Sequence, residues 1–514
     1  MISRTSPPIL HRHHDAPQDL SIKQTGFDTL CRFQRCCGLT LASLALGLLS
    51  PVALGVNVSA QGLGQVLLYP YYTVRSANAG GAYDTLFSVT NTTPDTKIVR
   101  VRFREGRNGR EVASMNVFLT AHDSWAAAVT AGTQGPTLAS NDGSCVDPPM
   151  SGSPASITFS NAQYSGPYAD GEDTSLSRAA EGYFEVIELG VVKDPTLLTI
   201  LNLNQGFRSN CAAALAVPLD NSVTMGAPTG GLMGSANIIN VAGGTLYAYD
   251  ATALENFSVI PMWALPTAGT PTLENVNPKL SRVLDNTGYR EANWDVAKGA
   301  SAADPVSAVL MVDQVLNGYV LDVATNSKTD WIVSMPTKPF YVNEAGGGPA
   351  RPPFESNFGA GGAPDYFGAY PLSDCSSGSG FNRTIMFNRE GANDANGCLS
   401  PSPPPVKAIL PWTTNVVRFA FNFNTSAGLL GSAMKVRYPI FYRNGWAKLA
   451  PFQYPSGPVH KLVSTDSPSV TYYGLPMIGF MANDFVNNTL SVGGQNVLSN
   501  YSATSPHKGI VRVQ

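Results

Sequence analysis

The residues with the clearest chemical potential in this chain are a short run of acids, Asp170-Gly171-Glu172-Asp173. Carboxylate oxygens are the ligand type that Ca²⁺ prefers, although the run does not match the spacing of an EF-hand loop. Acidic turns exposed to solvent are the ordinary alternative. We therefore expect no cofactor, with a calcium ion held by Asp170, Glu172 and Asp173 as the alternative.

The cysteines beyond residue 60 form a second group, namely Cys145, Cys211, Cys375 and Cys398. An even number of cysteines in an exported chain is typical of disulfide bonds. Three pairings are open. Proximity favours Cys375 with Cys398, which leaves Cys145 with Cys211. No CxxC element is present, so the spacing does not support a zinc site or a thioredoxin-like redox site.

No set of side chains typical of catalysis stands out in the sequence. The nucleophile elbow Gly-x-Ser-x-Gly is absent, and His122, His460 and His507 are each alone in sequence. Glu185 and Glu188 are three residues apart in a strand pattern, which places them on opposite faces. That placement argues against the paired carboxylates of sugar hydrolysis. We therefore expect that the protein is not an enzyme.

Residues 1–60 have the layout of an export leader. Arg32 and Arg35 precede an apolar run, and small residues then offer a cleavage site before Gln61. Polar and helix-breaking residues interrupt the run, whereas a spanning helix needs about 18 unbroken apolar residues. We expect an exported protein, extracellular or at the cell surface, with the periplasm as the alternative location. An uncleaved N-terminal anchor is the competing interpretation.

Charge and composition narrow the expected partners. Beyond residue 60 the chain has 28 basic and 33 acidic residues, so it lacks the clustered Lys and Arg of nucleic-acid binding. Charged residues are 13% of the whole chain, against roughly 25% in globular proteins. Such a composition is typical of exported β proteins. We expect other envelope or surface components as partners, self-association included, with no nucleic acid and no transmembrane span in the mature chain.

From residue 65 onward the pattern predicts one strand after another. Residues 66–74 are apolar and aromatic and contain Pro70, which suits an edge strand or a bulge. Residues 97–104 alternate between apolar and basic side chains. Asn108-Gly109 then predicts a tight turn into a partner strand over residues 112–119.

The predicted strand over residues 97–104 has one charged face. The alternation over 97–104 turns one face of the strand toward the core and leaves a charged stripe of Arg100, Arg102 and Arg104. We interpret the stripe as the solvated face of the strand, which discourages edge pairing. Asp250 is predicted to cap a short helix over residues 251–255.

The predicted fold class is all-β, with two immunoglobulin-like antiparallel β-sandwiches, long loop insertions and few short helices. Half-buried strands joined by short turns must stack two sheets to cover their apolar faces. The predicted domains are 61–300, with an insertion at about 130–180, and 301–514, with an insertion at about 344–405. Long insertions often carry function, so we expect a binding surface there.

Three segments carry a family resemblance: Gly62–Thr73, Asp330–Tyr341 and Gly474–Phe480. With these segments the chain resembles a group of exported proteobacterial proteins without assigned activity, over the whole mature length. The resemblance implies a Gram-negative envelope or secreted protein. It brings no catalytic residues with it.

The leading functional hypothesis is a non-enzymatic exported cell-envelope or cell-surface protein with a structural or adhesive role. The first alternative is a secreted β-sandwich module that binds a glycan or another small ligand through one of the two insertions. The second alternative is an outer-membrane β-barrel, for which the strand lengths are irregular and the C-terminus lacks an aromatic residue.

Overall fold

The computed structural model describes residues 54–76, 80–202, 210–342, 351–354, 369–371, 384–392, 407–421, 428–440, 442–449, 453–454, 457–458 and 460–514. These residues are mostly β-strand, arranged in several sheets that are antiparallel apart from one strand pair. The predicted all-β class is therefore confirmed. The predicted leader, apart from its last few residues, lies outside the described part of the chain.

In the first part of the chain the strands are β1 (Asn57–Val58), β2 (Val66–Thr73), β3 (Asp84–Asn91), β4 (Lys97–Glu105), β5 (Glu111–Leu119), β6 (Ser124–Gly132), β7 (Gly135–Ser140), β8 (Cys145–Asp147), β9 (Ala155–Thr158), β10 (Glu181–Val192), β11 (Met225–Gly226), β12 (Leu232–Asn240), β13 (Thr245–Asp250), β14 (Thr252–Glu255), β15 (Leu280–Asp285) and β16 (Gly288–Asn293).

The later strands are β17 (Met311–Val312), β18 (Gln314–Val320), β19 (Lys328–Ser334), β20 (Ala369–Pro371), β21 (Thr384–Asn388), β22 (Lys407–Ile409), β23 (Thr414–Phe421), β24 (Lys435–Ile440), β25 (Asn444–Leu449), β26 (Gln453–Tyr454), β27 (Gly457–Pro458), β28 (Lys461–Val463), β29 (Thr471–Tyr473), β30 (Leu475–Pro476), β31 (Ile478–Val492), β32 (Gln495–Pro506), β33 (Lys508–Ile510) and β34 (Arg512–Val513). The described α-helices are α1 (Pro195–Asn202), α2 (Cys211–Leu215) and α3 (Asp304–Leu310).

Two large sheets pack on each other in the first part of the chain. One has the strand order β1-β14-β2-β10-β4-β5-β8, with β11 beside β10, and the other has the order β13-β12-β3-β6-β7-β9. Their facing sides share a core of aromatic rings, in which Phe184 stacks on Tyr69 at 4.1 Å and on Phe103 at 4.6 Å. Burial of such large rings is a main source of stability for a sandwich.

Pro70 lies inside β2, which is a central strand rather than an edge. The pairing of β2 with β10 shifts register there, because Tyr72 pairs with Gly182 while Tyr69 pairs with Phe184. Two residues of β2 thus face one of β10, which is a β-bulge. The bulge leaves proline where no ladder hydrogen bond is needed.

The second part of the chain adds sheets with the orders β24-β23-β19-β31-β32 and β21-β25-β18-β33. Strands β23 and β24 pair in parallel. Ile332 and Phe480 belong to the same hydrophobic cluster as Leu67 and Val99 of the first part. One core therefore runs across residue 300, and the division into domains 61–300 and 301–514 stays a prediction.

The helix predicted after Asp250 is wrong. Residues Thr252–Glu255 form strand β14, in which Thr252 pairs with Leu68 and Leu254 with Val66. The segment is hydrogen-bonded between β1 and β2 as a strand of the first sheet, and that tertiary pairing overrides the capping signal.

A disulfide ties helix α2 to strand β8 of the first sheet. Cys145 of β8 is bonded to Cys211 at the start of α2, with Cα atoms 5.3 Å apart, so this predicted pair is confirmed. Cys375 and Cys398 lie outside the described residues, as does most of the second insertion. Among the helices that the structure describes, none has the length and apolar character needed to cross a membrane.

Candidate ligand-binding cavity

The arginine stripe on β4 is buried, so its prediction as a solvated face is wrong. Arg100 and Arg102 have no exposed surface. Residues 256–278 lie over this side of the sheet, and Arg100 donates to the carbonyls of Ala264 and Leu265 at 2.8 Å each. Guanidinium groups have five donors, so the stripe satisfies backbone carbonyls of a covering segment that forms no strand of its own.

Carboxylates within the same layer balance part of this charge. Arg102 Nε lies 2.8 Å from Glu111, and Arg102 and Arg104 both lie 3.3 Å from Glu185. Burial lowers the pKa of Arg100 to about 10, helped by the neighbouring Arg102. Burial also acts to lower the pKa of Arg104, but the attraction of Glu185 outweighs it and the pKa is raised. Glu188 lies on the other face of β10, as predicted, and pairs with Lys97 at 2.9 Å.

A second ionic group, which we call the Arg178 cluster, consists of Glu105, Asp170 and Arg178. Arg178 contacts Glu105 at 2.9 Å and Asp170 at 2.6 Å, and all three side chains are at most 1% exposed. Burial acts to raise the pKa of Asp170, but the hydrogen bonds from Arg178 outweigh it and lower the pKa. The cluster fastens the first insertion to the end of β4.

The three residues predicted as calcium ligands are thus engaged with protein groups. Asp170 binds Arg178, Glu172 pairs with Arg107, and Asp173 accepts from the Ser175 backbone N–H at 2.8 Å. Within the described part of the chain, no group of three or more His, Cys, Asp or Glu side chains is arranged to hold a metal ion. The calcium site stays a prediction, and binding would have to displace Arg178 from Asp170.

Beside these ionic groups lies the polar cavity, with a volume of about 1140 Å³. The turn between β4 and β5, the first insertion, residues 267–274, residues 296–302 and the start of the second insertion all contribute to its wall. Its lining includes Arg104, Asn108, Arg110, Glu111, Gln163, Thr267, Glu274, Ser301, Phe340, Tyr341 and Arg351. Cavities that bind small ligands commonly measure about 300–1000 Å³, so this one has room for an extended ligand.

Cationic groups outweigh acidic ones in the polar cavity. Arg104 is bound to Glu185, and Glu111 is bound to Arg102, so these two charges are balanced. Arg110 also has partners within the protein, which leaves Arg351 as the guanidinium that can bind a ligand, beside the carboxylate of Glu274. Arg351 is exposed, and none of the described carboxylates makes an ion pair with it. This local excess of guanidinium stands in a chain that is acidic overall.

Two lining residues of the polar cavity, Ser301 and Tyr341, are hydrogen-bonded to the buried carboxyl group of Asp304. Tyr341 donates to Asp304 at 2.7 Å, and the backbone N–H of Ser301 donates to the other carboxylate oxygen at 2.7 Å. Burial raises the pKa of Asp304 to about 6, although these hydrogen bonds and the charges of Arg351 and Lys279 oppose the shift. The arrangement holds the Tyr341 ring rigidly in the wall.

The sequence indicated part of this site. Gln163 belongs to the first insertion and Arg351 to the second, which are the two regions expected to bind. Asn108 belongs to the predicted turn and donates to Asp170 at 2.8 Å, so one predicted calcium ligand positions a residue of the wall. Asp170, Glu172 and Asp173 themselves do not line the cavity. Residues 267–274 and 296–302 carried no signal that sequence reasoning could use.

Comparison with known proteins adds no further assignment, because no protein-family model, no curated protein and no solved structure matches this chain.

Proposed function

We propose that this is an exported, non-enzymatic binding protein that holds an acidic saccharide in the polar cavity. The observation that carries the proposal is the exposed guanidinium of Arg351, which lines a large polar cavity and makes no ion pair with a described carboxylate. Guanidinium groups bind carboxylates through two parallel hydrogen bonds, with geometry that a lysine cannot reproduce.

The uncharged lining favours a sugar over a simple carboxylic acid. Gln163, Thr267 and Ser301 supply amide, hydroxyl and backbone groups that can bind several hydroxyls. Phe340 and Tyr341 supply ring surface in the same wall, and aromatic rings have an apolar face with a polar edge. A ligand with many hydroxyls, an apolar face and a carboxylate satisfies all three features.

Export supports the choice of a saccharide found outside the cytoplasm. The Cys145–Cys211 disulfide is of the kind that forms in oxidising compartments. The Gram-negative envelope origin and the surface location stay predictions from the leader and the resemblance. The structural or adhesive role, which led the sequence-based hypotheses, also stays a prediction.

Calorimetric titration with trigalacturonate tests the proposal. We expect saturable binding of one trisaccharide per chain, weakened by salt because exposed charge pairs are screened. The fully methyl-esterified trisaccharide has the same hydroxyls without charge and should bind at least tenfold more weakly. Arg351→Gln should lose about 10–100-fold in affinity, since a hydrogen bond to a charged group contributes about 1.5–3 kcal/mol.

Arg389→Gln is the matched control, because Arg389 is exposed and does not line the cavity. Its affinity for trigalacturonate should equal that of the unaltered protein. Equal binding of the acid and its ester, or equal affinity of the two variants, would overturn the proposal. Release of shorter sugars during the titration would contradict its non-enzymatic part, with Glu111 and Glu274 as the carboxylates to examine.

A further inference from the structure

A second cavity, which we call the apolar cavity, has a volume of about 410 Å³. Its wall comes from α3, β18, β19 and β31, with Val309, Leu310, Val315, Val333, Ile478 and Phe480 among the lining side chains. It shares no lining residue with the polar cavity. Residues before and after position 300 both line the cavity, so it forms only when both parts of the chain are folded together.

The cavity opens to solvent where Ala248 and Asp250 are exposed, and most of its lining side chains are apolar. Apolar side chains offer water few hydrogen-bond partners, so displacement of water by an apolar ligand is favoured there. The volume is within the range of small-ligand sites, and it corresponds to roughly fourteen times the ~30 Å³ share of one liquid water.

Two polar side chains of the wall, those of His507 and Thr504, are already hydrogen-bonded within the protein. His507 Nε2 lies 2.9 Å from the Ile332 carbonyl and must donate to it. Nδ1 of the same ring therefore accepts from the Asn317 amide at 3.0 Å. Thr504 donates to the Ala248 carbonyl. A ligand would find few unused hydrogen-bond groups among these side chains, so apolar contact must supply its affinity.

The negative charge at the edge of the apolar cavity disfavours anionic ligands. Asp250 lines the cavity and is exposed, and no lysine or arginine is among the described lining residues. A carboxylate at the end of a ligand would meet this like charge without a compensating cation. A fatty-acid anion is therefore a poor match, whereas an uncharged molecule meets no penalty.

We propose that the apolar cavity is a binding site for an uncharged, mainly apolar molecule of roughly fourteen to eighteen non-hydrogen atoms. The site is independent of the polar cavity and of the function proposed there. Its occupant enters at the side of β13, where Ala248 and Asp250 line the cavity.

Fluorescence titration with N-phenyl-1-naphthylamine, a neutral apolar probe of this size, tests the inference. We expect saturable binding of one probe per chain. Ala248→Trp places a large ring in the lining and should weaken binding at least tenfold. Ala126→Trp is the matched control, because Ala126 is an exposed strand alanine that lines neither cavity, and it should bind as the unaltered protein does. Circular dichroism establishes that both variants are folded.

Asp250→Asn provides a second variant that keeps the shape of the cavity. It should strengthen binding of the anionic 1-anilinonaphthalene-8-sulfonate severalfold more than it changes binding of the neutral probe. The inference is overturned by non-saturable binding, by equal affinity of folded Ala248→Trp and Ala126→Trp, or by displacement of the neutral probe by trigalacturonate. If Asp250→Asn did not strengthen binding of the anionic probe, the role assigned to the charge of Asp250 would be overturned.

Discussion

The two cavities of this protein lie on the same β framework and differ in what covers their strands. At the polar cavity, the outward face of β4 carries arginines, and loops cover them through ion pairs and backbone carbonyls. At the apolar cavity, side chains of α3, β18, β19 and β31 supply much of the lining, and most of them are aliphatic. The nature of the covering segment, more than the strand pattern, therefore decides the chemistry of each cavity.

Burial shifts the pKa of one titratable group beside each cavity, and the two shifts have opposite directions. Burial favours the neutral form of any group, so it raises the pKa of Asp304 to about 6 and lowers that of His507 to about 4. Between about pH 4 and 6, the native state therefore holds a proton on Asp304 that the unfolded state has released, and it keeps off His507 a proton that the unfolded state binds. Between pH 4 and 6.5 the two groups must push stability in opposite directions.

The largest expected effect is the loss of the Arg178 cluster. Arg178→Met leaves Glu105 and Asp170 buried without their cation, and breaking a buried ion pair on one side costs about 3–5 kcal/mol. Urea denaturation at pH 7 measures this loss. Because Asp170 holds Asn108 in the wall of the polar cavity, trigalacturonate binding should weaken while the neutral probe still binds the apolar cavity.

Arg290→Met is the matched control for that variant. Arg290 is half exposed and lies 3.5 Å from Asp285, and exposed pairs of this kind contribute at most about 1 kcal/mol. If both variants lost the same stability, the Arg178 cluster would not have the structural role assigned to it.

The disulfide should stabilise the fold without affecting either cavity. Replacing Cys145 and Cys211 together by alanine removes a crosslink between residues 66 apart in sequence. The expected loss is about 2–4 kcal/mol in the free energy of unfolding, measured in urea without reductant. Both ligands should bind the folded double variant with unchanged affinity. Weakened binding of one ligand alone would mean that the crosslink supports that cavity.

Asp304 should make the protein less stable as pH rises. Its folded pKa of about 6 is above its ordinary value of about 3.9, so the native state binds more protons than the unfolded state between these values. Linkage then lowers the free energy of unfolding by about 2 kcal/mol as pH rises from 4 to 6.5. Asp304→Asn should remove that decline. Identical pH dependence in variant and unaltered protein would contradict the burial of this carboxyl group.

His507 should have the opposite, smaller effect. Its folded pKa of about 4 is below the ordinary value of about 6.5, so the unfolded state binds more protons and stability falls as pH drops from 6.5 to 4. Because the ring is half-buried, we expect a loss of about 1 kcal/mol. His507→Gln should abolish this loss when unfolding is followed at both pH values. A steeper acid loss in the variant would reverse the assignment.

Local pattern predicted the strands well and their environment poorly. Residues 97–104 and 112–119 were predicted as paired strands, and β4 and β5 confirm them within a residue or two. The alternation that defined β4 also suggested solvent for Arg100, which instead contacts Ala264, 164 residues away. Coverage by a loop that is distant in sequence does not change the pattern of the strand residues, so that pattern alone could not predict the burial of Arg100.

The candidate site shows the same limit. The Cys145–Cys211 bond could be predicted by counting cysteines, because disulfide chemistry needs only two partners and an oxidising space. The polar cavity needs several segments that are far apart in sequence, and only Gln163 and Arg351 fall in regions expected to bind. The wall includes residues from 104–111, 267–274 and 339–342. Spacing along the sequence does not predict that these segments meet in the fold.

The most direct test of two separate and chemically distinct sites is one calorimetric titration performed twice. Trigalacturonate is added to the protein alone and then to protein saturated with N-phenyl-1-naphthylamine. We predict one trisaccharide per chain with the same dissociation constant in both titrations. Absence of binding heat in the first titration, or a loss of affinity in the second, would contradict the account.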